Sequence, residues 1–149
     1  DFNGSEIQKM QLGKIEGKLM SFDLATEKAN QDIVLAAIQA DLVASAHDCS
    51  EGGLAVAIAE SAFGNQFGVD VKVDLVKEEL FAETQSRFIL SVSPENQVAF
   101  ETLVGNQATA IGQVTNTGKL AITAKDAAIE LVTSEAKQVW EDALSCQLK

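Results

Sequence analysis

The sequence has few basic residues and no long apolar run. Its 11 lysines and arginines are outnumbered by 22 aspartates and glutamates, which gives a net charge of −11. Binding to nucleic acid or to an anionic membrane requires clustered basic side chains, so the charge argues against both partners. No apolar stretch approaches the roughly 20 residues that cross a bilayer. Residues 1–10 lack the basic start and apolar core of a signal peptide.

Cysteine and histidine are also scarce, with two cysteines and a single histidine. Cys49 and Cys146 form no CxxC pair and no disulfide framework, which predicts a reducing, cytoplasmic location. His47 lies beside Asp48 and Cys49, but successive side chains of an extended segment point to opposite faces. These adjacent side chains cannot converge on a tetrahedral ion without further ligands, so we expect no zinc site.

The remaining composition is that of a folded domain. Hydrophobic residues make up 46% of the 149 residues and there is one proline, so the chain is not a disordered tail. A chain of this length buries about 68–70% of the surface exposed on unfolding, and we expect residues 1–149 to form a single domain. Because no initiator Met is present, we also expect a piece excised from a longer chain.

The apolar spacing changes along the chain. After an irregular stretch over residues 1–25, helical spacing predicts a helix over 27–45, capped by Asp23 or Thr26. An extended piece over 44–49 precedes a second helix from near Gly52 to Phe63. Further strands are predicted at 69–73, 87–93, 108–114, 119–124 and 127–132, with helices from Pro94 to about Val104 and from Ser134 onwards. Helices and strands mix without strict alternation, which predicts an α+β fold: a mixed sheet with helices packed on its faces.

Two polar stretches are candidate sites. In "AHDCSEGGLAVAIAE" (46–60), Ser50 or Asp48 can accept hydrogen bonds from the free amides of the following helix, and Gly52 and Gly53 allow backbone or ligand to approach closely. A helix N-terminus suits a phosphate or carboxylate, but a capped turn with a packed His47 and a buried Cys49 is the more common explanation of such a pattern.

The second polar stretch is "ETQSR" (83–87), immediately before an apolar strand. A carboxylate, an amide and a guanidinium at that place can hold a metal, a planar polar ligand and a phosphate, respectively. A solvated loop with an Arg87 salt bridge is the alternative.

A family resemblance covers nearly the whole chain. It is carried by "SAHDCSEGGLAVAIAESAF", "LFAETQSRFILSV", "DFNGSEIQ", "LGKIEG" and "IGQVT". These stretches resemble the C-terminal domain of the aminoimidazole ribonucleotide synthetase superfamily, and in particular the phosphoribosylformylglycinamidine synthase family (synthetase subunit, small bacterial type). The form "ETQSR" resembles the second of the two C-terminal domains in that family's duplicated chain.

The resemblance implies a function. It implies an ATP-dependent ligase of purine biosynthesis that converts formylglycinamide ribonucleotide to the amidine with ATP, Mg²⁺ and glutamine-derived ammonia. Its partners would be the rest of its own chain, a glutaminase subunit and a small accessory subunit. The family's catalytic histidines and main ATP-binding residues lie outside this sequence, so no catalytic residue is assigned and the fragment is expected to be inactive alone.

The resemblance also implies site residues. Asp48 corresponds to a magnesium ligand, and Glu83, Thr84 and Gln85 correspond to substrate contacts of the first half, whereas relatives carry an auxiliary nucleotide pocket in the second half. The predicted nucleotide or substrate cleft comprises Ser50, Gly52, Gly53, Glu83, Thr84, Gln85 and Arg87, with Asp48 at the metal. Two alternatives stay open: a non-catalytic scaffold domain that docks partner subunits, and another superfamily kinase that acts on a small phosphate ester.

Overall fold

The computed structural model describes residues 2–18, 22–65 and 67–147, with side chains as far as residue 143. Its helices are α1 (Glu6–Leu12), α2 (Leu24–Gln39), α3 (Gly53–Phe63), α4 (Lys77–Leu80), α5 (Gln97–Val104) and α6 (Thr133–Gln147). Its strands are β1 (Ser45–Asp48), β2 (Gly68–Lys72), β3 (Phe88–Ser91), β4 (Gly112–Thr115), β5 (Lys119–Thr123) and β6 (Ala128–Val132). The mixture of helices with parallel and antiparallel strands confirms the predicted α+β class.

The chain divides into two compact units. The first comprises residues 1–57 and 81–110, and the second comprises residues 58–80 and 111–149. The prediction that residues 1–149 are a single domain, the second C-terminal domain of a longer chain, stays a prediction.

The first unit contains an antiparallel pair of strands, β1 and β3, together with α1, α2 and α5. The register pairs Ser45 with Ser91 and Asp48 with Phe88, so β1 ends where β3 begins. Ala37 of α2, which is fully buried, and Val104 of α5 belong to the core of this unit.

The second unit contains a four-stranded sheet in the order β4-β2-β5-β6. β2 and β5 run parallel in the middle, and β4 and β6 flank them antiparallel. Val69 and Val71 lie opposite Leu120 and Ile122, and all four are buried on the same face because strand side chains alternate.

Helix α2 begins earlier and ends earlier than predicted. Asp23 caps it by accepting a hydrogen bond from the amide of Ala25 at 2.9 Å, as one of the two predicted caps. The predicted end at residue 45 is wrong, because Asp41 adopts a left-handed backbone (φ 60°) that terminates the helix after Gln39.

The prediction of an irregular lead-in is wrong for residues 6–12, which form α1; residues 1 and 19–21 of that stretch lie outside the described part. The Ser5 hydroxyl accepts a hydrogen bond from the amide of Gln8 at 3.2 Å, and Gly13 ends the helix with a left-handed φ of 69°. The spacing Ser5-x-x-Gln8 is a capping-box pattern, so the sequence carried a local signal for this helix.

The remaining predicted elements are confirmed within a few residues. The strand predicted at 108–114 is shorter and begins at Gly112, and the helix from Pro94 begins with a 3-10 turn at Pro94–Asn96 before α5. Within the described residues, no helix has the length and apolar character needed to span a membrane.

Candidate functional site

The two predicted polar stretches meet in the first unit. Antiparallel pairing places the end of β1 beside the start of β3, and the amide of Cys49 extends the ladder by donating to the carbonyl of Arg87 at 2.9 Å. The segment that follows β1 and the segment that precedes β3 therefore leave the strand pair at the same end.

An open groove of about 570 Å³ lies at this end of the strand pair. Its walls are formed by α2 (Glu27, Gln31, Val34), by Ala46, His47, Asp48, Cys49 and Ser50, and by Gln85, Ser86, Arg87 and Phe88. Of the predicted site residues, Asp48, Ser50, Gln85 and Arg87 line the groove, whereas Gly52, Gly53, Glu83 and Thr84 are not among its lining residues.

Asp48 presents an ionised carboxylate to the groove. One of its oxygens accepts a hydrogen bond from the Ser50 hydroxyl. That bond is the main cause that lowers the pKa of Asp48, with a smaller contribution from attraction to His47. The side chain is 66% exposed, so the carboxylate remains accessible to a ligand or a hydrated cation.

The ring of His47 contacts the backbone of Asp48. Its Nδ1 lies 2.6 Å from the carbonyl oxygen of Asp48, and its ring is about one-third exposed (33%). Because a carbonyl can only accept, this contact places the proton on Nδ1.

The turn between β1 and α3 depends on glycine. The amide of Gly53 donates to the carbonyl of Ser50 at 3.0 Å, and Gly52 has a left-handed φ of 78°. A Cβ on Gly52 would lie 2.4 Å from Cγ2 of Val56, so a side chain is excluded by contact as well as by backbone conformation.

Glu83 fixes this turn from a distance of 31 residues along the chain. Its Oε1 accepts hydrogen bonds from the amide of Gly52 at 3.0 Å and from the amide of Glu6, the first residue of α1, at 2.9 Å. The carboxylate thus satisfies free amides at the start of α1 and at the glycine turn, which is the capping role predicted for Ser50 or Asp48. Its predicted contact with a ligand stays a prediction.

Arg87 stabilises the loop that precedes β3. Its guanidinium donates to the carbonyl of Thr84 through Nε at 3.2 Å and to the carbonyl of Ala82 through Nη2. Residues 82–87 are therefore folded around this side chain, which also lines the groove.

Ser86 connects the loop to α2. It has a left-handed φ of 66°, its hydroxyl donates to Glu27, and its carbonyl accepts from Nδ2 of Asn30 at 2.9 Å. No motif in the sequence marks Glu27 and Asn30 as site residues. Their spacing of three along α2 places them on one helix face, and this is the signal by which they could have been found once the groove was known.

Cys49 is 9% exposed, which confirms the prediction that it is a small buried residue. Burial raises the pKa of its thiol, an effect that the positive charge of Arg87 only partly offsets. The neutral thiol is therefore favoured, and Cys49 is a packing residue rather than a nucleophile.

Among the described residues, no three side chains of the His, Cys, Asp and Glu types come together as a metal cluster. Asp48 by itself nevertheless fits Mg²⁺, which is commonly bound through one or two carboxylates with the remaining ligands supplied by water and phosphate.

Comparison with known proteins identifies the class. The family model described as AIR synthase related protein, C-terminal domain, matches residues 5–125. The chain belongs to this family.

Particular relatives are longer proteins. The chain is 45% identical over 147 residues to the phosphoribosylformylglycinamidine synthase subunit PurL of Leuconostoc mesenteroides, covering 99% of this chain and 20% of that protein. It is 42% identical over 149 residues to the same subunit of Limosilactobacillus fermentum, again covering 20% of it. The predicted resemblance to this enzyme family is confirmed, and the chain spans about a fifth of the length of these curated relatives.

Solved structures share the fold. The structure of PurLQS from Thermotoga maritima has a TM-score of 0.69 at 19% identity, covering 87% of this chain and 24% of that chain. T. maritima PurL complexed with ATP has a TM-score of 0.66 at 20% identity, covering 80% of this chain and 23% of that one. The fold of this chain is therefore also found within these solved PurL chains.

We predict that Glu83→Ala lowers the free energy of unfolding by about 2–3 kcal/mol, because two backbone amides lose a charged acceptor in a half-buried place. Glu83→Gln retains an oxygen at the same position and should lose about half as much. Urea titration monitored by circular dichroism measures both variants. Glu101→Ala removes an exposed carboxylate from α5 and is the control, expected within about 0.5 kcal/mol of the parent. Equal losses for Glu83→Ala and Glu101→Ala would contradict the role of Glu83.

We predict that Gly52→Ala is more destabilising than Gly13→Ala. Both glycines have positive φ, 78° and 69°, but a Cβ on Gly13 has nothing within 4 Å, whereas one on Gly52 overlaps Val56. The left-handed backbone alone costs about 1 kcal/mol for alanine, and the overlap should add about 1–2 kcal/mol at Gly52. Thermal unfolding of the two variants compares them directly, and similar melting temperatures would refute the argument from steric contact.

We predict that the thiol of Cys49 reacts at least about 100-fold more slowly in the folded chain than in the chain unfolded in urea, because it is buried and its pKa is raised. Since the unfolded chain ionises this thiol at a lower pH, stability should fall as the pH rises above the ordinary thiol pKa. Absorbance after addition of a disulfide reagent measures the rates. The Cys146→Ser background leaves Cys49 as the reporting thiol, and equal rates in the two states would contradict its burial.

Proposed function

We propose that the chain is the C-terminal domain of an ATP-dependent carbon–nitrogen ligase of purine biosynthesis, phosphoribosylformylglycinamidine synthase. The ligase converts formylglycinamide ribonucleotide, ATP and glutamine-derived ammonia into formylglycinamidine ribonucleotide. The observation that carries the proposal is 45% identity to a subunit of that enzyme over 147 residues, 99% of this chain. Structures of T. maritima PurL complexed with ATP, ADP, AMPPCP and FGAR, each similar in fold, add support.

The groove is the part of this chain that faces a phosphate-bearing ligand in the proposal. Gln85 and Ser50 offer neutral hydrogen-bonding groups, and Arg87 offers a positive charge. Glu27 and Asp48 contribute two carboxylates to the same groove, and carboxylates repel phosphate unless a cation lies between them.

Mg²⁺ at Asp48 resolves that repulsion, and the ionised, exposed carboxylate supports its assignment there. When bound, the ion would neutralise charge on the phosphate oxygens. Asp48 would hold it from one side, while Ser50 keeps the carboxylate deprotonated and oriented.

The groove is open and no catalytic base is assigned within this chain, so the rest of a longer chain completes the site in the proposal. The isolated fragment would then be inactive. A glutaminase subunit and a small accessory subunit are its proposed partners in the cytoplasm.

A scaffold role is the second candidate, and one observation favours it. Glu83 and Arg87, the two charged members of the "ETQSR" stretch, make hydrogen bonds to backbone groups of their own unit. A domain that only stabilises its chain and docks partner subunits would use these residues in the same way.

Asp48→Asn distinguishes the two candidates in the full-length synthetase chain assayed with ATP, formylglycinamide ribonucleotide and ammonia. We predict at least a tenfold loss of kcat/KM, with the deficit partly recovered at high Mg²⁺, because the amide removes the charge that would bind the ion. Asp32→Asn, an exposed residue of α2 that pairs with Lys28, is the matched control and should retain full activity.

Unchanged kinetics for Asp48→Asn would contradict the proposed site. If the same variant also weakened association with the partner subunits in sedimentation, the scaffold role would replace it.

A further inference from the structure

The described residues include two side-chain-bearing residues with positive φ, Asp41 at 60° and Ser86 at 66°. This backbone conformation is unfavourable for residues that carry a Cβ, and it persists where surrounding contacts hold it. Asp41 terminates a helix, whereas Ser86 lies in the wall of the groove.

The two residues are held by the same kind of contact. Asn96 donates through Nδ2 to the carbonyl of Asp41 at 3.0 Å, and Asn30 donates through Nδ2 to the carbonyl of Ser86 at 2.9 Å. Ser86 has a second contact, because its hydroxyl donates to one carboxylate oxygen of Glu27. The other oxygen of Glu27 accepts from the side-chain amide (Nε2) of Gln31, which orients the carboxylate along α2.

We propose that Glu27 and Asn30 of α2 are positioning residues that hold the left-handed turn at Ser86, so that Gln85 and Arg87 both face the ligand of the groove. The proposal rests on the proposed function for the identity of that ligand. The turn is the physical link, since φ at residue 86 sets the direction of the chain on either side of it.

The neighbouring contacts depend on this direction. Arg87 carries the carbonyl that pairs with the amide of Cys49, and its guanidinium closes on the carbonyls of Ala82 and Thr84. If Ser86 relaxed to a common backbone conformation, the loop could not satisfy these bonds and present Gln85 to the groove at the same time. Helix α2 therefore acts on the ligand through the backbone of residue 86.

The test compares Asn30→Ala with Asn96→Ala in the full-length synthetase chain. Each substitution removes a single amide-to-carbonyl bond at a residue with positive φ, but only Asn30 serves the groove. We expect Asn30→Ala to raise KM for ATP or for formylglycinamide ribonucleotide about tenfold, the effect of about one hydrogen bond, with kcat changed less than threefold. Asn96→Ala should leave both KM values unchanged.

Glu27 provides the test by conservative replacement. Glu27→Gln keeps an oxygen that can accept from the Ser86 hydroxyl and should hold KM within about threefold of the parent, whereas Glu27→Ala should raise it as Asn30→Ala does. A merely structural role would make the two Glu27 variants differ in stability without separating their KM values.

Amide hydrogen exchange over residues 84–88 measures the turn independently of activity. We expect exchange about tenfold faster in Asn30→Ala and unchanged in Asn96→Ala. Unchanged exchange in Asn30→Ala would overturn the positioning role whatever the kinetics, and faster exchange with unchanged KM values would overturn its connection to the ligand. A parent synthetase without activity on formylglycinamide ribonucleotide would refute the proposed function instead, while exchange still decides whether α2 holds the turn.

Discussion

A single carboxylate oxygen organises the surface around the groove. Oε1 of Glu83 accepts from the amides of Glu6 and Gly52, and so connects the start of α1, the loop before β3 and the turn before α3. Free amides at helix starts and in glycine turns need an acceptor, and a charged acceptor forms the stronger hydrogen bonds. Because a Cβ on Gly52 would overlap Val56, this turn requires glycine as well as the acceptor oxygen of Glu83. The arrangement of the site therefore depends on a residue that is not itself among the lining residues of the groove.

The groove is lined by two carboxylates, Glu27 and Asp48, and by the guanidinium of Arg87. Arg87 donates to carbonyls of its own loop, and Asp48 remains exposed with Ser50 and His47 beside it. In a chain with a net charge of −11, such a surface repels a bare phosphate and favours one that arrives with a cation. The same acidity that argues against nucleic acid is therefore compatible with a metal-bound nucleotide.

Local signals in the sequence were sufficient for most of the fold and for part of the site. Alternation and helical spacing located the strands and longer helices, and the glycine pair at 52 and 53 marked the turn. Such local signals do not reveal that Glu83 caps this turn. Glu83 and Gly52 are 31 residues apart and come together through the pairing of β1 with β3. Glu27 and Asn30 could not be predicted as site residues either, because their partner Ser86 is 59 and 56 residues away along the chain. The end of α2 was misplaced because no local rule requires Asp41 to adopt a positive φ.

The charged and the neutral residues of the "ETQSR" stretch make different contacts in the structure. The carboxylate of Glu83 accepts from backbone amides, and the guanidinium of Arg87 donates to backbone carbonyls. Hydrogen bonds to ionised groups contribute most to stability, so we expect substitution of either side chain to destabilise the fold. Gln85 is exposed in the groove, where a neutral amide can donate to one ligand atom and accept from another. Ser86 lies between Gln85 and Arg87 in the sequence. Its backbone has a positive φ, and its hydroxyl donates to Glu27 of α2. The stretch that the sequence predicts as a set of ligand contacts thus first folds its own loop in this structure. In the proposal, its contact with ligand depends on how firmly that loop is held.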